Sequence, residues 1–126
     1  MSIPVTLGEL AATIAERGSL AYLVTLGETG PRVVSVSVEV QIGPTAHGVG
    51  GPVLWVGAGR HTAANVAARP QVTLFWPVDA DHPKHTLLVD GMASSADDED
   101  RISIVPSSAM LHRVRADRGA TPAGDG

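Results

Sequence analysis

The segment Gly57-Ala58-Gly59-Arg60-His61-Thr62 is the part of this chain whose residue types point most directly to chemistry. Gly57 and Gly59 allow backbone angles that bring the main chain close to a ligand. A helix is expected to follow from about Ala63 to Ala68, and Pro70 ends it because the residue before a proline avoids helical angles. The start of a helix carries unpaired N–H groups and the positive end of its dipole, which together attract anions. Arg60 and His61 precede that start, where cations are ordinarily disfavoured by roughly 0.3–1 kcal/mol each. A bound anion reverses the sign. Arg60 has the geometry to grip a phosphate in bidentate fashion, and Thr62 can cap the helix or donate its hydroxyl. An ordinary glycine turn with a surface arginine satisfies the same spacing. The turn is neither a P-loop, lacking the Gly-Lys-Ser/Thr ending, nor a Rossmann fingerprint.

Other chemistry-bearing residues are scattered. Asp79 to His85 gathers two aspartates and two histidines in seven residues, which could suit a metal or could be a polar loop between strands. Pro83, Lys84 and the lack of a distant partner motif favour the loop, so no metal site is expected. A haem would need His47, His82, His85 or His112 as its ligand, and each of these reads more readily as a loop or surface histidine. No cysteine is present, which removes disulfides, thiolate catalysis and thiolate metal sites and suits a cytoplasmic location. Net charge is −4 with no basic stripe, so nucleic acid is not an expected partner. No basic-then-apolar leader opens the chain, and no run of apolar residues is long enough for a membrane span, so no membrane partner is expected.

The elements that must hold these residues are mostly strands. Thr6-Leu7-Gly8-Glu9 reads as a capping box, and Leu7, Leu10, Ala11 and Ile14 share one helical face ending at Gly18. Strands are expected at Ser19–Leu26 and Arg32–Ile42, joined at Gly27–Gly30. In the second, Val34, Val36, Val38 and Val40 alternate with Ser35, Ser37 and Glu39. Further strands are expected at Val53–Val56, Val72–Trp76 and His85–Ser94. A sixth, Arg101–Arg115, is expected to break near Pro106–Ser108. Tyr22, Trp55, Phe75 and Trp76 fall in strands, where core packing competes with a place near a ligand or a subunit seam. Residues 1–117 read as one domain and residues 118–126 as a disordered Gly/Ala/Pro/Asp tail. Six short strands with one inserted helix suggest a mainly β, closed antiparallel barrel. The apolar share of 44% against a charged share of 17% suggests a buried subunit interface.

Three stretches, in this order and spacing, resemble the pyridoxamine 5'-phosphate oxidase-like, FMN-binding split-barrel superfamily. They are Gly30-Pro31-Arg32-Val33-Val34-Ser35-Val36-Ser37, then Leu54 through Val66, then Arg69-Pro70-Gln71-Val72-Thr73-Leu74-Phe75-Trp76. The resemblance implies a six-stranded split barrel and a homodimer with FMN in a cleft between subunits. It implies that the strand Arg32, Val33, Val34, Ser35 and Ser37 lines the flavin. It implies that Val56, Gly57, Arg60, His61, Thr62 and Asn65 belong to the phosphate turn and its helix, and that Thr86 approaches the ring. Thr62 stands where the family often carries Lys or Arg, and Ser37 where it often carries Lys or Thr. The C-terminal extension of the true oxidases has no counterpart, so oxidation of pyridoxamine phosphate is not expected. The implied activity is transfer of a hydride or electrons to a small molecule. The alternatives are a reduced 5-deazaflavin in place of FMN, a flavin or haem binding module without turnover, and a dimeric domain without cofactor.

Overall fold

The computed structural model describes residues 2–44, 50–95 and 100–115. His47 and the tail from residue 118 lie outside these, as does all of the acidic run Asp97–Asp100 except Asp100. Seven strands and two helices follow in the order β1 (Ser2–Val5), α1 (Leu7–Arg17), β2 (Leu20–Gly27), β3 (Gly30–Pro44), β4 (Gly50–Gly57), α2 (Arg60–Ala68), β5 (Gln71–Trp76), β6 (His85–Ser95) and β7 (Arg101–Arg113). All pairings are antiparallel, in the order β1-β7-β4-β3-β2-β5-β6, and β6 also pairs with β7. That last pairing closes the six longer strands into the expected mainly β barrel, with β1 added to the C-terminal part of β7. No described helix is long and apolar enough to cross a membrane.

The barrel interior follows from alternation. Leu23, Leu54, Leu74, Leu87, Val89, Ile102 and Ile104 are fully buried, and Trp76 joins them. The Trp76 Nε1–H donates to the Gly18 carbonyl at 2.9 Å, tying β5 to the end of α1. The capping box at Thr6 and Glu9 is present, and Leu10 and Ile14 of α1 are buried against β4 and β7.

Three local expectations differ from the structure. The strand Ser2–Val5 has no counterpart in the sequence reading: it is four residues long and takes its partner, Ala109–His112, from the far end of the chain. β7 does not break at Pro106–Ser108. It runs on through a bulge in which Asp90 pairs with Ser108 and Gly91 with Pro106, leaving Ser107 as the extra residue. Helix α2 begins at Arg60 rather than Ala63, with Gly59 as its N-cap.

Candidate functional site

The site begins with the pairing of β3. Its first half, Gly30–Ser37, pairs with β2, and its second half, Val38–Pro44, pairs with β4. The Val38 N–H donates to the Ser19 carbonyl at 2.7 Å. Antiparallel ladders alternate, so the pairs Ala21–Val36, Leu23–Val34 and Thr25–Arg32 exchange bonds with β2. The N–H groups of Val33, Ser35 and Ser37 therefore aim the other way. Among the described residues no strand pairs with β3 on that side before Val38. The barrel is split there, and three backbone donors line the gap.

Helix α2 lies beside the gap. It leaves β4 through Gly57-Ala58-Gly59, and its C-terminal end returns to the hairpin between β2 and β3. Asn65 Nδ2 donates to the buried Thr25 hydroxyl at 3.3 Å, and Arg69 reaches the Leu26 carbonyl at 3.4 Å. Between helix and strand lies a cleft of about 790 Å³, lined by Gly27–Thr29, Arg32–Val34, and α2 residues from His61 to Arg69. The inward face of β3 passes from core to cleft along its length: Val38 and Val36 are buried, whereas Val34 is 38% exposed and Arg32 is exposed.

At the helix start the first intrahelical bond is Ala63 N–H to the Gly59 carbonyl, at 2.9 Å. The N–H groups of Arg60, His61 and Thr62 thus have no partner within the helix. No side chain caps them, and the first turn carries no acidic residue. His61 and Thr62 line the cleft, while Arg60 is exposed outside its lining. Placing these three in the first turn, not before it, turns their own amides into anion donors.

Six of the residues singled out from sequence are gathered at the cleft: Arg32, Val33, Val34, His61, Thr62 and Asn65. Ser35 and Ser37 instead border a shallower groove on the outer face of the sheet, of about 530 Å³, with Leu20, Tyr22 and Pro77. Val56 is buried in the core and Gly57 ends β4. Thr86 sits on β6 opposite His112, away from the cleft lining. The sequence reading passed over Arg69 and the hairpin Gly27–Thr29, which also line the cleft. Their signal was the tight Gly27↔Gly30 hairpin, but only the direction of α2 brings it to the helix. The cleft also brings two guanidinium groups together in an acidic chain: Arg32 and Arg69 line it beside the His61 ring, with Glu28 as the carboxylate of the lining.

The other candidates disperse. Asp79 Oδ1 accepts from the His82 N–H at 2.7 Å and lies 2.9 Å from the His82 ring, so these two residues close their own loop. Among the described residues no group of three or more ligand-type side chains is arranged for a metal. His112 contacts Ser2, and neither His82, His85 nor His112 lines the cleft. Tyr22 and Phe75 stack on the outer face, their ring centroids 5.2 Å apart. Trp55 lies under the Arg101 guanidinium, 4.6 Å from its ring centre, and Arg101 also pairs with Glu39 at 3.1 Å.

No family model matches the chain. It is 39% identical over 127 residues to uncharacterised proteins of Mycobacterium bovis and Mycobacterium tuberculosis, covering 94% of this chain and 87% of theirs. Among solved structures it is similar to a Listeria innocua protein provisionally described as a pyridoxamine 5'-phosphate oxidase. The TM-score is 0.61 at 17% identity, over 84% of this chain and 98% of that one. It is similar to the FAD binding protein from Mycobacterium smegmatis, with a TM-score of 0.59 at 14% identity, over 91% and 100%. An F420 reductase aligns with a TM-score of 0.50 at 18% identity, over 82% and 92%. The chain therefore belongs to one family with these mycobacterial proteins, and its fold is the split barrel that it shares with the Listeria innocua and Mycobacterium smegmatis structures.

Proposed function

We propose that this protein binds a flavin-type cofactor, FMN in the first instance, and acts as an oxidoreductase on a small molecule. One observation carries the reading: a single cleft joins the free edge of β3 to the uncapped start of α2. Its volume of about 790 Å³ lies in the usual range for sites of cofactor size. The donor set fits both ends of such a molecule. The amides of Arg60, His61 and Thr62, with the Thr62 hydroxyl and the His61 ring, suit a phosphate. The edge amide of Val33 suits the polar rim of a planar ring, and Val34 offers it an apolar wall. When bound, a flavin supplies hydride or electron transfer, and the protein contributes binding and orientation. No acid–base pair of side chains is required for that chemistry. The names of two structural neighbours, an FAD binding protein and an F420 reductase, agree with a flavin-type ligand. Exposed Leu20, Tyr22, Leu26, Val33 and Met92 on the outer face of the barrel support a homodimer.

The purified protein should carry, or take up, FMN with a perturbed flavin spectrum. Thr62→Ala should weaken FMN several-fold in a fluorescence titration and leave riboflavin, which lacks the phosphate, unchanged. A protein that ignores added FMN would sink the reading.

A further inference from the structure

The outer side of the barrel across β3, β2, β5 and β6 is nearly free of charge. Every second residue of 20–26, 33–37, 71–75 and 88–92, counted from the first, points outward. Among the described residues at these positions Asp90 is the one charged group. Around it Tyr22 stacks on Phe75, and Leu20, Val33 and Met92 are exposed. Charged residues are depleted at the centre of subunit interfaces, and this face has that composition. Asp90 borders a shallow groove of about 320 Å³ whose walls include Val24, Leu26 and Met92, so its carboxylate stands on apolar ground. Thr73 Oγ1 donates to Asp90 Oδ1 at 2.6 Å, the length of a charge-assisted bond. Oδ2 meets only the Ser108 hydroxyl, at 3.5 Å, and the Ser107 hydroxyl turns to the Asp90 main-chain carbonyl instead. Among the described residues Asp90 makes no ion pair; the pairs are His82–Asp79 and Arg101–Glu39. The cations on this side of β7 lie well along the strand. His112 is four residues beyond Ser108, which pairs with Asp90, or roughly 13 Å. Arg101 is committed to Glu39 and the Trp55 ring.

A symmetric pair built on this face uses the same patch of both copies. The second copy then brings apolar groups and a second Asp90 to the first, and no cation. Taking a carboxylate out of water without an opposing charge is costly. We propose that Asp90 is a brake on self-association. Each copy must bury a carboxylate that nothing opposite neutralises, which keeps the pair loose and reversible. The Thr73 hydroxyl satisfies one oxygen of that carboxylate and so limits the penalty to what the pair can bear. The proposal rests on the homodimer argued above and adds the residue that limits its strength.

The test is sedimentation equilibrium of the full chain as purified, wild type against Asp90→Asn, a change that removes the charge at nearly constant size. Asp90→Asn should tighten the dimer about tenfold or more, because both copies lose the penalty together. Thr73→Val, which removes the donor to Oδ1, should weaken the wild-type dimer several-fold and the Asp90→Asn dimer much less. That difference reports a contact between the two side chains and not a general loss of packing, and circular dichroism of each variant checks that the barrel is intact. If Asp90→Asn leaves the dimer unchanged, Asp90 lies outside the seam. If Asp90→Asn weakens the dimer, the second copy brings a cation to Asp90. Either result overturns the brake and leaves the homodimer standing. If neither wild type nor Asp90→Asn associates at the highest soluble concentration, the homodimer fails and takes this proposal with it.

Discussion

Gly91→Ala tests how the barrel is closed. Gly91 is buried on β6, opposite Pro106 at the β7 bulge. A Cβ added there would lie 2.7 Å from the Val105 carbonyl oxygen, 2.8 Å from Ile104 Cγ2 and 3.2 Å from Pro106 Cα. Carbon atoms in good contact sit about 3.5–4.0 Å apart, so each neighbour must retreat by several tenths of an ångström or more. Two of the three are backbone atoms. The third belongs to Ile104, which is fully buried and has no free space to swing into. Relief therefore requires β7 to move away from β6, straining the pairing that closes the barrel. Overpacking of this kind costs about 1–3 kcal/mol, and the backbone clash puts Gly91→Ala at the upper end. For a domain of this size that is a fall in melting temperature of roughly 6–15 °C. Thermal and urea denaturation followed by circular dichroism would read it, with the urea slope unchanged if the barrel still unfolds as one unit. The cleft is built on β2, β3 and α2, so FMN affinity measured well below the melting temperature should stay within about twofold of wild type. A melting temperature within 2 °C of wild type would refute the placement of Gly91 at the bulge.

Trp76→Phe leaves the Gly18 carbonyl without its donor and should cost about 1–3 kcal/mol, read as a lower urea midpoint. Thr6→Ala removes the N-cap of α1 and should cost about 1 kcal/mol at neutral pH. The Glu9 carboxyl is held below its ordinary value of 4.5 by the Thr6 backbone N–H and then by the Thr6 hydroxyl. Its folded-state value is lowered, so the stabilisation is present above that ordinary value and is lost as pH falls through the folded one. The difference between wild type and Thr6→Ala should accordingly shrink between neutral pH and about pH 3. Tyr22→Asp places a charge beside Phe75 on the outer face and, under the proposed homodimer, should shift the protein from dimer to monomer in sedimentation equilibrium, with little change in circular dichroism. An unaltered dimer would show that this face is not the contact.

The parts of the fold that were legible in sequence are those fixed by local rules. The valine alternation marks β3, and Val36 and Val38 do reach the core. The capping box marks α1, and Gly18 closes it at φ 91°. What escaped depends on partners distant in sequence. β1 exists because Ala109–His112 offers it an edge. The Pro106–Ser108 stretch looked like an interruption because proline cannot donate to a ladder, yet a bulge absorbs it without ending the strand. At the site, residue types were legible but assembly was not. Arg60, His61 and Thr62 carry the anion signal whether they precede the helix or open it. Which of them faces the cleft depends on the pitch of α2. Pro70 marks the helix stop and Arg69 only opens the stretch into β5; the return of α2 to the Gly27–Gly30 hairpin is what brings Arg69 to the cleft that Arg32 also lines.

The split in the barrel also bears on the proposed place of the ligand. A strand edge with unpaired amides is a liability in a protein that must stay folded and separate, and native proteins cover or interrupt such edges. Here β6 and β7 close the barrel, while β3 is left open from Pro31 to Ser37. The chain interrupts that edge at its start with Pro31, which has no N–H to offer, and with the charge of Arg32. Helix α2 lies across the cleft from it and, being a helix, pairs with none of its amides. Val33, Ser35 and Ser37 are thus kept available rather than paired. Filling the gap with another strand would have satisfied them at no cost in charge. An apolar core extension would not have called for Arg32, His61 and Arg69 around the same space. A flat molecule with hydrogen-bonding rims and an anionic end satisfies both the edge and the cations at once. That double requirement, more than any single residue in the turn, is what favours a flavin-type ligand over a cofactor-free barrel.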